Sequence, residues 1–593
     1  MQKLETPKKR SVVWKLIRQM KPFIPQILFC FLLILMLNGA DLLKPLIYKT
    51  IVDGYITAGK SAAASATGLR WFTGTLPGLG ISYFLVIAVS ALAALEQARV
   101  TTRFCQKLLH RMRMDLFDHI HRMPLTDLDR MGSGRLLTRA TNDVEELDSF
   151  YGDVLVGLCR DVVLLAGIVV MMLRLNWKLA LVSFAAIPVI AAITISCRKA
   201  LRRNFVKMKA LTGRINGFIA ESLSGIRVIQ AFSREKQKYD QLHDLNMQYR
   251  KTTMFQVLIN SVLRPVMEVV NSAAIVLILL AGFKLAGHDS SIVEAGVLVA
   301  FTTYIKQFFD PINDLAEKYN TVQSALVSAD RIFTLLEDDA DLEQPEAPGY
   351  DEPLRGEVEF RDVWFAYKDE DWVLKGLSFK AMPGEKIAFV GATGAGKTTI
   401  INLISRFYDI QKGEILIDGV PIKEWKLSRL RGQISVVLQD VFLFVGTVAD
   451  NVRIHAPIDD AAVARALELS CASDFVNALP DGMHSYVAER GATFSTGERQ
   501  LLSFARAIAH DPKLLVLDEA TANIDSDTEE SIQRSIQNIS RGRTAIFIAH
   551  RLSTIRDCDC IYYLEDGILK EHGTHDQLMA QQGRYYRLVK ESE

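Results

Sequence analysis

The sequence carries no excess charge of either sign. Its 69 lysine and arginine residues face 68 aspartate and glutamate residues, which leaves a formal net charge of +1 over 593 residues. A protein that binds nucleic acid through its overall charge needs a clear basic surplus, because lysine and arginine neutralise the phosphate backbone. The composition therefore argues against a globally basic nucleic-acid binder, and we expect no nucleic acid among the partners.

Cysteine is also scarce. The seven cysteines are scattered, and the motif C-D-C at 558–560 is too tight for the two-residue spacing of a metal knuckle. This distribution favours reduced thiols over a disulfide framework. We also see no cleavable signal peptide. The basic start instead leads into W-K-L-I-R-Q-M-K-P, an amphipathic segment suited to lying on a membrane surface.

Apolar residues are abundant but unevenly placed. Hydrophobic residues make up 49% of the chain, the mean hydropathy is +0.14, and a chain of this length needs two or more domains. The sequence predicts an α-helical membrane domain over 1–325, an acidic, proline-containing linker over 326–357 and a soluble α/β domain over 358–593. The fold class is therefore multidomain.

Six stretches are long and apolar enough to span a bilayer. They lie at 25–51, 78–98, 150–173, 178–196, 256–283 and 292–317. The connections after the second and fourth spans are long and basic, which places them and both chain ends in the cytosol by the positive-inside rule. We expect a multi-pass protein of the plasma membrane, specifically the inner membrane of a bacterium.

The two long connections have helical periodicity rather than the pattern of loops. Leu108, Met112 and Leu116 recur at intervals of four residues. We expect the membrane helices to continue into the cytosol and to turn through short tips at 124–130 and 217–226. These tips are placed to touch another domain, and the alternative is a pair of plain helical hairpins without a contact role.

Charged residues inside the spans need partners, because charge is costly in a bilayer. Asp41 and Lys44 are spaced i,i+3, and the pair Arg264–Glu268 is spaced i,i+4, so each pair can form on one helical face. Arg160 and Asp161 are adjacent and point in different directions, so at least one of them needs another helix or water. Helix packing and substrate contact are both open roles for these residues.

A phosphate-binding loop opens the soluble half. The short buried strand K-I-A-F-V-G runs into G-A-T-G-A-G-K-T-T, which fits G-x-x-x-x-G-K-[ST] in strand–loop–helix context. Backbone N–H groups of such a loop ring a phosphate at a helix N-terminus. The predicted nucleotide-binding residues of the loop are Gly391, Ala392, Thr393, Gly394, Ala395, Gly396, Lys397, Thr398 and Thr399. Lys397 is placed to bridge the β- and γ-phosphates, and Thr398 to ligate Mg²⁺.

Other polar residues follow buried strands later in the chain. L-L-V-L-D-E at 514–519 ends in two carboxylates, of which Asp518 is placed to hold Mg²⁺ through water and Glu519 to polarise the attacking water. T-A-I-F-I-A-H ends in His550, and V-V-L-Q-D contains Gln439. Because ligands bind at the carboxyl edge of a parallel sheet, these residues predict one ATP and Mg²⁺ site.

Six features follow one another along the chain: the phosphate loop, Gln439, the signature stretch F-S-T-G-E-R-Q at 494–500, the acidic pair Asp518–Glu519, the A-N-I-D turn at 522–525 and His550. This order resembles the ATP-binding cassette (ABC) transporters, and the six spans resemble their exporter class. The resemblance implies an ABC-type phosphate-loop ATPase. It also implies that Tyr367 stacks on adenine, that Gln439 contacts Mg²⁺ and senses the membrane arms, and that Asp525 crosses a dimer interface. By the same resemblance His550 holds the γ-phosphate, Lys397 and Glu519 complete the catalytic set, and the two tips are coupling helices.

The signature stretch departs from the family pattern L-S-G-G-Q. This chain has F-S-T-G-E, so Ser495 and Gly497 are kept, while Thr496 adds a β-branched side chain and Glu498 adds a carboxylate. In the family these residues contact the ATP held by the partner subunit. Like charges repel, so we expect ATP held against this signature to turn over slowly.

An intact Glu519 combined with a poor signature suggests an asymmetric partnership. We expect a half-transporter that exports an amphipathic drug, lipid or similar substrate by alternating access, paired with a second half-transporter in a heterodimer, a homodimer being the alternative. ATP and Mg²⁺ are the expected cofactors, and membrane lipids and a small-molecule or lipid substrate the expected ligands.

Other functions fit parts of the pattern. A homodimeric lipid or peptide flippase and an ATP-gated channel remain alternatives, as does a regulatory ATP-binding protein, against which Glu519 and His550 argue. An importer is disfavoured, since importers of this superfamily keep the two domain types on separate chains. No peptidase domain precedes the spans, which disfavours a dedicated peptide-processing exporter. The sequence identifies neither the substrate nor the partner.

Overall fold

The computed structural model describes residues 9–57, 72, 75–286, 294–338, 349–518, 526–548 and 552–592. Its internal contacts divide the chain into two compact units. The N-terminal unit consists of Met1–Asp118 and Gly134–Asp338, and the C-terminal unit consists of His119–Ser133 and Asp339–Glu593. The short segment 119–133 therefore packs with the C-terminal unit, although it lies within the first quarter of the sequence.

The described part of the first 338 residues is helical. Its α-helices are α1 (Lys9–Gln19), α2 (Ile24–Ile51), α3 (Leu76–Arg122), α4 (Leu125–Met131), α5 (Ser133–Thr138), α6 (Val144–Ser149), α7 (Val156–Leu175), α8 (Trp177–Phe184), α9 (Ala186–Ser224), α10 (Ile226–Ala231), α11 (Glu235–Ala286) and α12 (Ala295–Leu336). Short π-helical turns at Val52–Thr57, Arg139–Asp143 and Phe150–Leu155 extend or join these helices. Of these elements, α4 belongs to the C-terminal unit.

Three helical stretches among the described residues are long and apolar enough to cross a membrane: Val12–Thr57, Leu76–Arg122 and Ser133–Leu175. They contain the first three predicted spans. A break at Asn176 separates the third stretch from α8, and the Asn176 side chain accepts hydrogen bonds from the backbone N–H groups of Lys178 and Leu179. The connection after the third span is thus a capped helix start.

The helices that carry the predicted spans run on far beyond the length of a span, as the apolar periodicity indicated: α3 has 47 residues and α11 has 52. The first tip also lies where predicted, because Pro124 caps the short helix α4. The second tip was placed wrongly. Residues 217–224 continue α9, the helix is interrupted only at Gly225, and the turn into α11 is made by 232–234. Gly217 lies within this helix, and no close contact requires glycine there, since an added Cβ would meet nothing within 4 Å.

Several charged residues within the described helices of the N-terminal unit form ion pairs. Lys44 Nζ donates to Asp41 at 2.7 Å, as the i,i+3 spacing predicted. Arg160 donates to the same aspartate at 3.4 Å, and Asp161 accepts a hydrogen bond from Lys318 of α12. Arg160 and Asp161 thus each find a partner on another helix, which confirms the prediction that at least one of them needs another helix or water.

The C-terminal unit contains two main sheets. Its strands are β1 (Val358–Ala366), β2 (Trp372–Ala381), β3 (Lys386–Val390), β4 (Lys412–Ile417), β5 (Val420–Pro421), β6 (Ile434–Val437), β7 (Gly446–Thr447), β8 (Tyr486–Val487), β9 (Leu514–Asp518), β10 (Thr544–Ile548), β11 (Cys560–Glu565) and β12 (Ile568–Gly573). The antiparallel sheet has the order β2-β1-β4-β5, and the larger sheet has the order β12-β11-β3-β10-β9-β6. In the larger sheet all neighbours are parallel except β11 and β12.

Helices pack around these sheets. They are α13 (Lys397–Ile404), α14 (Leu427–Gln433), α15 (Val448–Arg453), α16 (Asp460–Leu469), α17 (Ser473–Asn477), α18 (Thr496–Ala509), α19 (Ser526–Ser540), α20 (Leu552–Arg556), α21 (His575–Gln581) and α22 (Arg584–Ser592). The central strands are buried on both faces, as β9 and β10 are at every position, which explains their nearly continuous apolar sequences. The predicted strands at 386, 514 and 544 are all present.

Candidate nucleotide-binding site

The phosphate-binding loop leaves the centre of the parallel sheet. It connects the end of β3 at Val390 to the start of α13 at Lys397. Gly391 has φ +149°, and a Cβ at this position would lie 2.0 Å from the carbonyl oxygen of Leu564 in the adjacent strand β11. Only glycine fits this close approach, so the first glycine of the motif is required for the loop to begin here.

Lys397 lies under this loop and is almost completely buried, with 6% of its surface exposed. Its Nζ donates hydrogen bonds to the carbonyl oxygens of Gly391 at 2.7 Å and Ala392 at 3.0 Å. Burial lowers the pKa of the Lys397 ammonium, and the nearby carboxylate of Asp518 opposes this shift. The ammonium is therefore poorly solvated and held at the loop, where a phosphate oxygen is a strong acceptor for it.

The residues proposed to hold Mg²⁺ meet at the adjoining strand end. Thr398 Oγ1 donates to Asp518 Oδ2 at 3.4 Å. Asp518 ends β9 opposite Ile548, and Ile548 also pairs with Phe389 of β3. Hydroxyl and carboxylate oxygens are the donors that Mg²⁺ prefers, so this pair fits the ion. Gln439 lies two residues beyond β6, whose Val437 pairs with Leu517, so it follows the same edge of the sheet and is exposed.

Tyr367, the predicted adenine partner, follows β1 and is 42% exposed. Its hydroxyl donates to Thr399 Oγ1 at 3.1 Å and accepts from Asn402 Nδ2 at 3.2 Å, so both bonds fix it to α13. Its ring meets the ring of Tyr408 edge to face, with centroids 5.1 Å apart. The position of this partly open aromatic ring is therefore set by the helix that begins at the phosphate loop.

The signature stretch forms the start of α18. Ser495 is the N-cap: its Oγ accepts from the backbone N–H of Glu498 at 3.2 Å, and its own N–H donates to Glu498 Oε2 at 2.7 Å. This reciprocal pair is a capping box, which satisfies two of the free N–H groups of a helix start. Arg499 donates to Thr496 Oγ1 at 3.2 Å. The two off-pattern residues are thus held by bonds within the first turn, and Gly497 is buried between them.

Within the C-terminal unit, the first tip packs close to Tyr367. The hydroxyl of Tyr408 donates to the carboxylate of Asp129 on α4, and Leu125 packs on the apolar cluster that contains Tyr408. Burial, followed by the hydrogen bond to Asp129, raises the pKa of Tyr408 above its ordinary value, so the phenol keeps its proton and remains a donor. A chain of contacts therefore runs from α4 through Tyr408 to Tyr367.

Three predicted site residues, Glu519, Asp525 and His550, lie outside the described residues, as does the side chain of Arg264. The strands that lead to Glu519 and His550 end at Asp518 and Ile548, which are paired neighbours. The sequence interpretation overlooked Asn402 and Tyr408. Asn402 follows Thr399 by three residues, so helical spacing alone could have placed it beside Tyr367, whereas nothing local indicates the contact between Tyr408 and Asp129.

Comparison with known proteins gives two family matches that together cover most of the chain. Residues 27–312 match the ABC transporter transmembrane region, and residues 374–522 match the ABC transporter ATPase domain. A probable multidrug resistance ABC transporter ATP-binding/permease protein, YheH of Bacillus subtilis, is 38% identical over 484 residues, covering 81% of this chain and 72% of that protein.

A second relative and a solved structure extend the match over nearly the whole chain. The fatty acid ABC transporter ATP-binding/permease protein of Mycobacterium bovis is 35% identical over 575 residues, covering 93% of this chain and 90% of that protein. The structure of a bacterial Atm1-family ABC exporter with ATP bound superposes with a TM-score of 0.77 at 27% identity, covering 96% of this chain and 98% of the other.

Proposed function

This chain belongs to the ABC transporter family, and we propose that it exports an amphipathic substrate as one half of a heterodimer. As an exporter half-transporter of this family, it lies in a membrane, binds ATP, works as a dimer and couples ATP hydrolysis to transport. We further propose the domain limits 1–325 and 358–593 with a linker between them. The termini face the cytosol, and the membrane is the plasma membrane, which in a bacterium is the inner membrane.

Ion pairs among charged residues of the described membrane helices support an amphipathic substrate. Asp41, Arg160, Asp161 and Lys318 are engaged with one another in ion pairs rather than presented singly. A site built for a strongly charged substrate needs a counter-charge that is free to bind it, because an unpaired charge in a bilayer is costly. Two relatives named for multidrug resistance and for fatty acid transport suggest the same substrate class.

Each residue of the ATP site has a proposed role. The phosphate loop and Lys397 bind the β- and γ-phosphates, while Tyr367 stacks on adenine. Thr398, Asp518 and Gln439 hold Mg²⁺, which neutralises charge that develops on the phosphates. Glu519 orients the attacking water, and His550 holds the γ-phosphate. The contact between the Thr398 hydroxyl and the Asp518 carboxylate carries this assignment, because it joins the loop to the strand end that leads into Glu519.

A dimer is needed to complete the ATP site, because each cassette presents its signature to the ATP of the other. Ser495, Thr496, Gly497 and Glu498 then face the partner's ATP, with Asp525 crossing the interface. The extra methyl and hydroxyl of Thr496 and the negative charge of Glu498 both disfavour a bound triphosphate. A partner with a regular signature would complete the site built on Glu519, so we favour a heterodimer with one active site and one slow site.

The test is to compare ATPase activity of the purified chain alone with that of the chain co-purified with its partner from native membrane. We expect low ATPase activity of the chain alone and high ATPase activity of the pair. We expect Lys397→Ala to abolish the activity of the pair. Ser495→Ala in the pair leaves most activity, whereas Glu519→Gln removes it and retains bound ATP. Full activity of a homodimer that Ser495→Ala abolishes would support the homodimeric alternative and overturn the heterodimer.

A further inference from the structure

The segment 438–445, which carries Gln439, joins β6 to β7 and forms neither a helix nor a strand in the described chain. Leu443 anchors it in the core, since this side chain is fully buried. The neighbouring Phe442 and Phe444 are 50% and 55% exposed, so the packing of their rings does little to fix the direction of the chain. Main-chain groups outside regular structure need other hydrogen-bond partners. Two side chains from elsewhere in the C-terminal unit supply them.

Asn451 of α15 is the first of these side chains, and only 2% of its surface is exposed. Its Oδ1 accepts a hydrogen bond from the backbone N–H of Phe444 at 2.8 Å, and its Nδ2 donates to the carbonyl oxygen of the same residue, also at 2.8 Å. Nδ2 also donates to the carbonyl oxygen of Thr447 at 3.1 Å. One amide group thus pairs with both main-chain groups of Phe444 and ties them to the start of α15.

Arg506 of α18 is the second of these side chains. Its Nη1 donates to the carbonyl oxygen of Phe442 at 3.0 Å, its Nε to the carbonyl oxygen of Asn451 at 2.9 Å and its Nη2 to Asn451 Oδ1 at 3.1 Å. Burial lowers the pKa of this guanidinium, and the hydrogen bonds of a poorly solvated cation are strong. The planar fork reaches the segment and α15 at the same time, which the single ammonium group of a lysine does not reproduce.

The helix that carries Arg506 is the one that begins at the signature. Ser495 caps α18, and Arg506 lies about three turns further along it. The carbonyl group that Arg506 binds, that of Phe442, lies three residues after Gln439. Hydrogen bonds therefore connect the signature helix to the segment that carries a proposed Mg²⁺ ligand.

We propose that Arg506 and Asn451 are positioning residues that orient Gln439 toward Mg²⁺. This inference rests on the role given to Gln439 in the proposed function. Both residues act through the main chain of 442–444 rather than on the nucleotide. Because the guanidinium belongs to α18, a displacement of the signature helix also displaces the segment that carries Gln439.

The experiment measures how much Mg²⁺ tightens nucleotide binding. The purified full-length chain is titrated with a fluorescent ATP analogue that is not hydrolysed, mant-AMP-PNP, once with Mg²⁺ and once with EDTA. The ratio of the two dissociation constants is the Mg²⁺ factor, and it does not depend on ATP hydrolysis. We expect Gln439→Ala, Arg506→Lys and Asn451→Ala each to reduce this factor about three- to tenfold, the effect of losing one hydrogen bond. Binding in EDTA should stay as in wild type.

A double variant separates positioning from general damage to the fold. If Arg506 acts through Gln439, Arg506→Lys causes no further loss of the Mg²⁺ factor in a chain that already carries Gln439→Ala, whereas independent effects multiply. Arg534→Lys on α19 is the matched control, because the side chain of this arginine is 62% exposed. We expect Arg534→Lys to keep the wild-type factor.

Three results overturn the proposal. One is a wild-type Mg²⁺ factor in Arg506→Lys when Gln439→Ala lowers it, which leaves the role of Gln439 in the proposed function intact. Another is losses that multiply in the double variant, because Arg506 then acts independently of Gln439. The third is an unchanged factor in Gln439→Ala, which also removes Gln439 from the proposed Mg²⁺ site. Thermal unfolding identifies variants that have not folded, and if Asn451→Ala is one of them, Arg506→Lys decides the question.

Discussion

The backbone N–H of Ser495 donates to the carboxylate of Glu498 at 2.7 Å, and the N–H of Glu498 donates back to Ser495 Oγ at 3.2 Å. The residue that makes this signature unusual is thus also the residue that closes a capping box at the start of α18. The Glu498 carboxylate is therefore bound to the start of the helix. Its charge, however, remains beside the signature.

Substitution of Glu498 separates the two effects. Glu498→Gln keeps the capping box, because the glutamine oxygen accepts the same bond, but it removes the charge. We expect unchanged thermal stability and faster ATP hydrolysis by the assembled dimer, because the slow site gains activity. Glu498→Ala removes the charge and also the hydrogen bond, at a cost of about 1 kcal/mol. Unchanged hydrolysis in Glu498→Gln would contradict the electrostatic explanation for a slow site.

We predict that loss of the contact between Tyr408 and Asp129 weakens the coupling of ATP hydrolysis to transport. Tyr408→Phe keeps the ring that packs on Tyr367 but removes the hydrogen bond to α4. We expect ATP hydrolysis without transport substrate to continue. Substrate-stimulated hydrolysis and transport into vesicles should fall strongly, because α4 is no longer bonded to the domain that binds ATP. Tyr486→Phe is the matched control at a position 68% exposed. Normal transport by Tyr408→Phe would exclude this contact from coupling.

The contrast between these two sites indicates what the sequence could predict. The order of strands and the polar residue after each one are local patterns, so the edge that gathers Lys397, Thr398 and Asp518 was predictable. The Tyr408–Asp129 bond joins residues 279 positions apart, and no local pattern encodes such a contact. The capping box could be predicted from the spacing of Ser495 and Glu498, but only the charge of Glu498 was considered in comparison with the family pattern.

The position of the second tip shows the same limit. Residues 217–224 were expected to belong to the turn, yet they continue α9 although most of them are exposed. An isolated glycine is tolerated within a helix, so Gly217 does not mark the turn. The pairing of Asp161 with Lys318 was likewise foreseen only as a need for some partner, since the identity of that partner depends on how the helices pack.

We predict different losses of stability when two glycines of the phosphate loop are replaced by alanine. At Gly391 an added Cβ would lie 2.0 Å from the backbone oxygen of Leu564, which cannot move without disturbing the pairing of β3 with β11. At Gly394 the same Cβ meets nothing within 4 Å, and the cost is limited to φ +86°, about 1–2 kcal/mol. We expect Gly391→Ala to lower the thermal midpoint of the purified chain much more than Gly394→Ala. Equal effects would show that backbone conformation, not the close approach, decides the requirement for glycine.

The raised pKa of Tyr408 predicts how its contribution to stability changes with pH. Burial, and then the hydrogen bond to Asp129, make the folded chain hold the phenol proton more tightly than the unfolded chain, where tyrosine titrates near its ordinary value of 10.0. Above that pH the folded state binds more protons than the unfolded state, so the stability that Tyr408 contributes is complete below about pH 10 and decreases as pH rises further.

Measurement of this effect compares thermal midpoints of wild type and Tyr408→Phe from about pH 8 to about pH 11, where other tyrosines contribute equally to both proteins. We expect a constant difference up to about pH 9 and a shrinking difference above about pH 10. Tyr486→Phe should give no such trend. The opposite result is a difference in thermal midpoint between wild type and Tyr408→Phe that stays constant to the highest pH. It would mean that the pKa of Tyr408 is not raised in the folded chain.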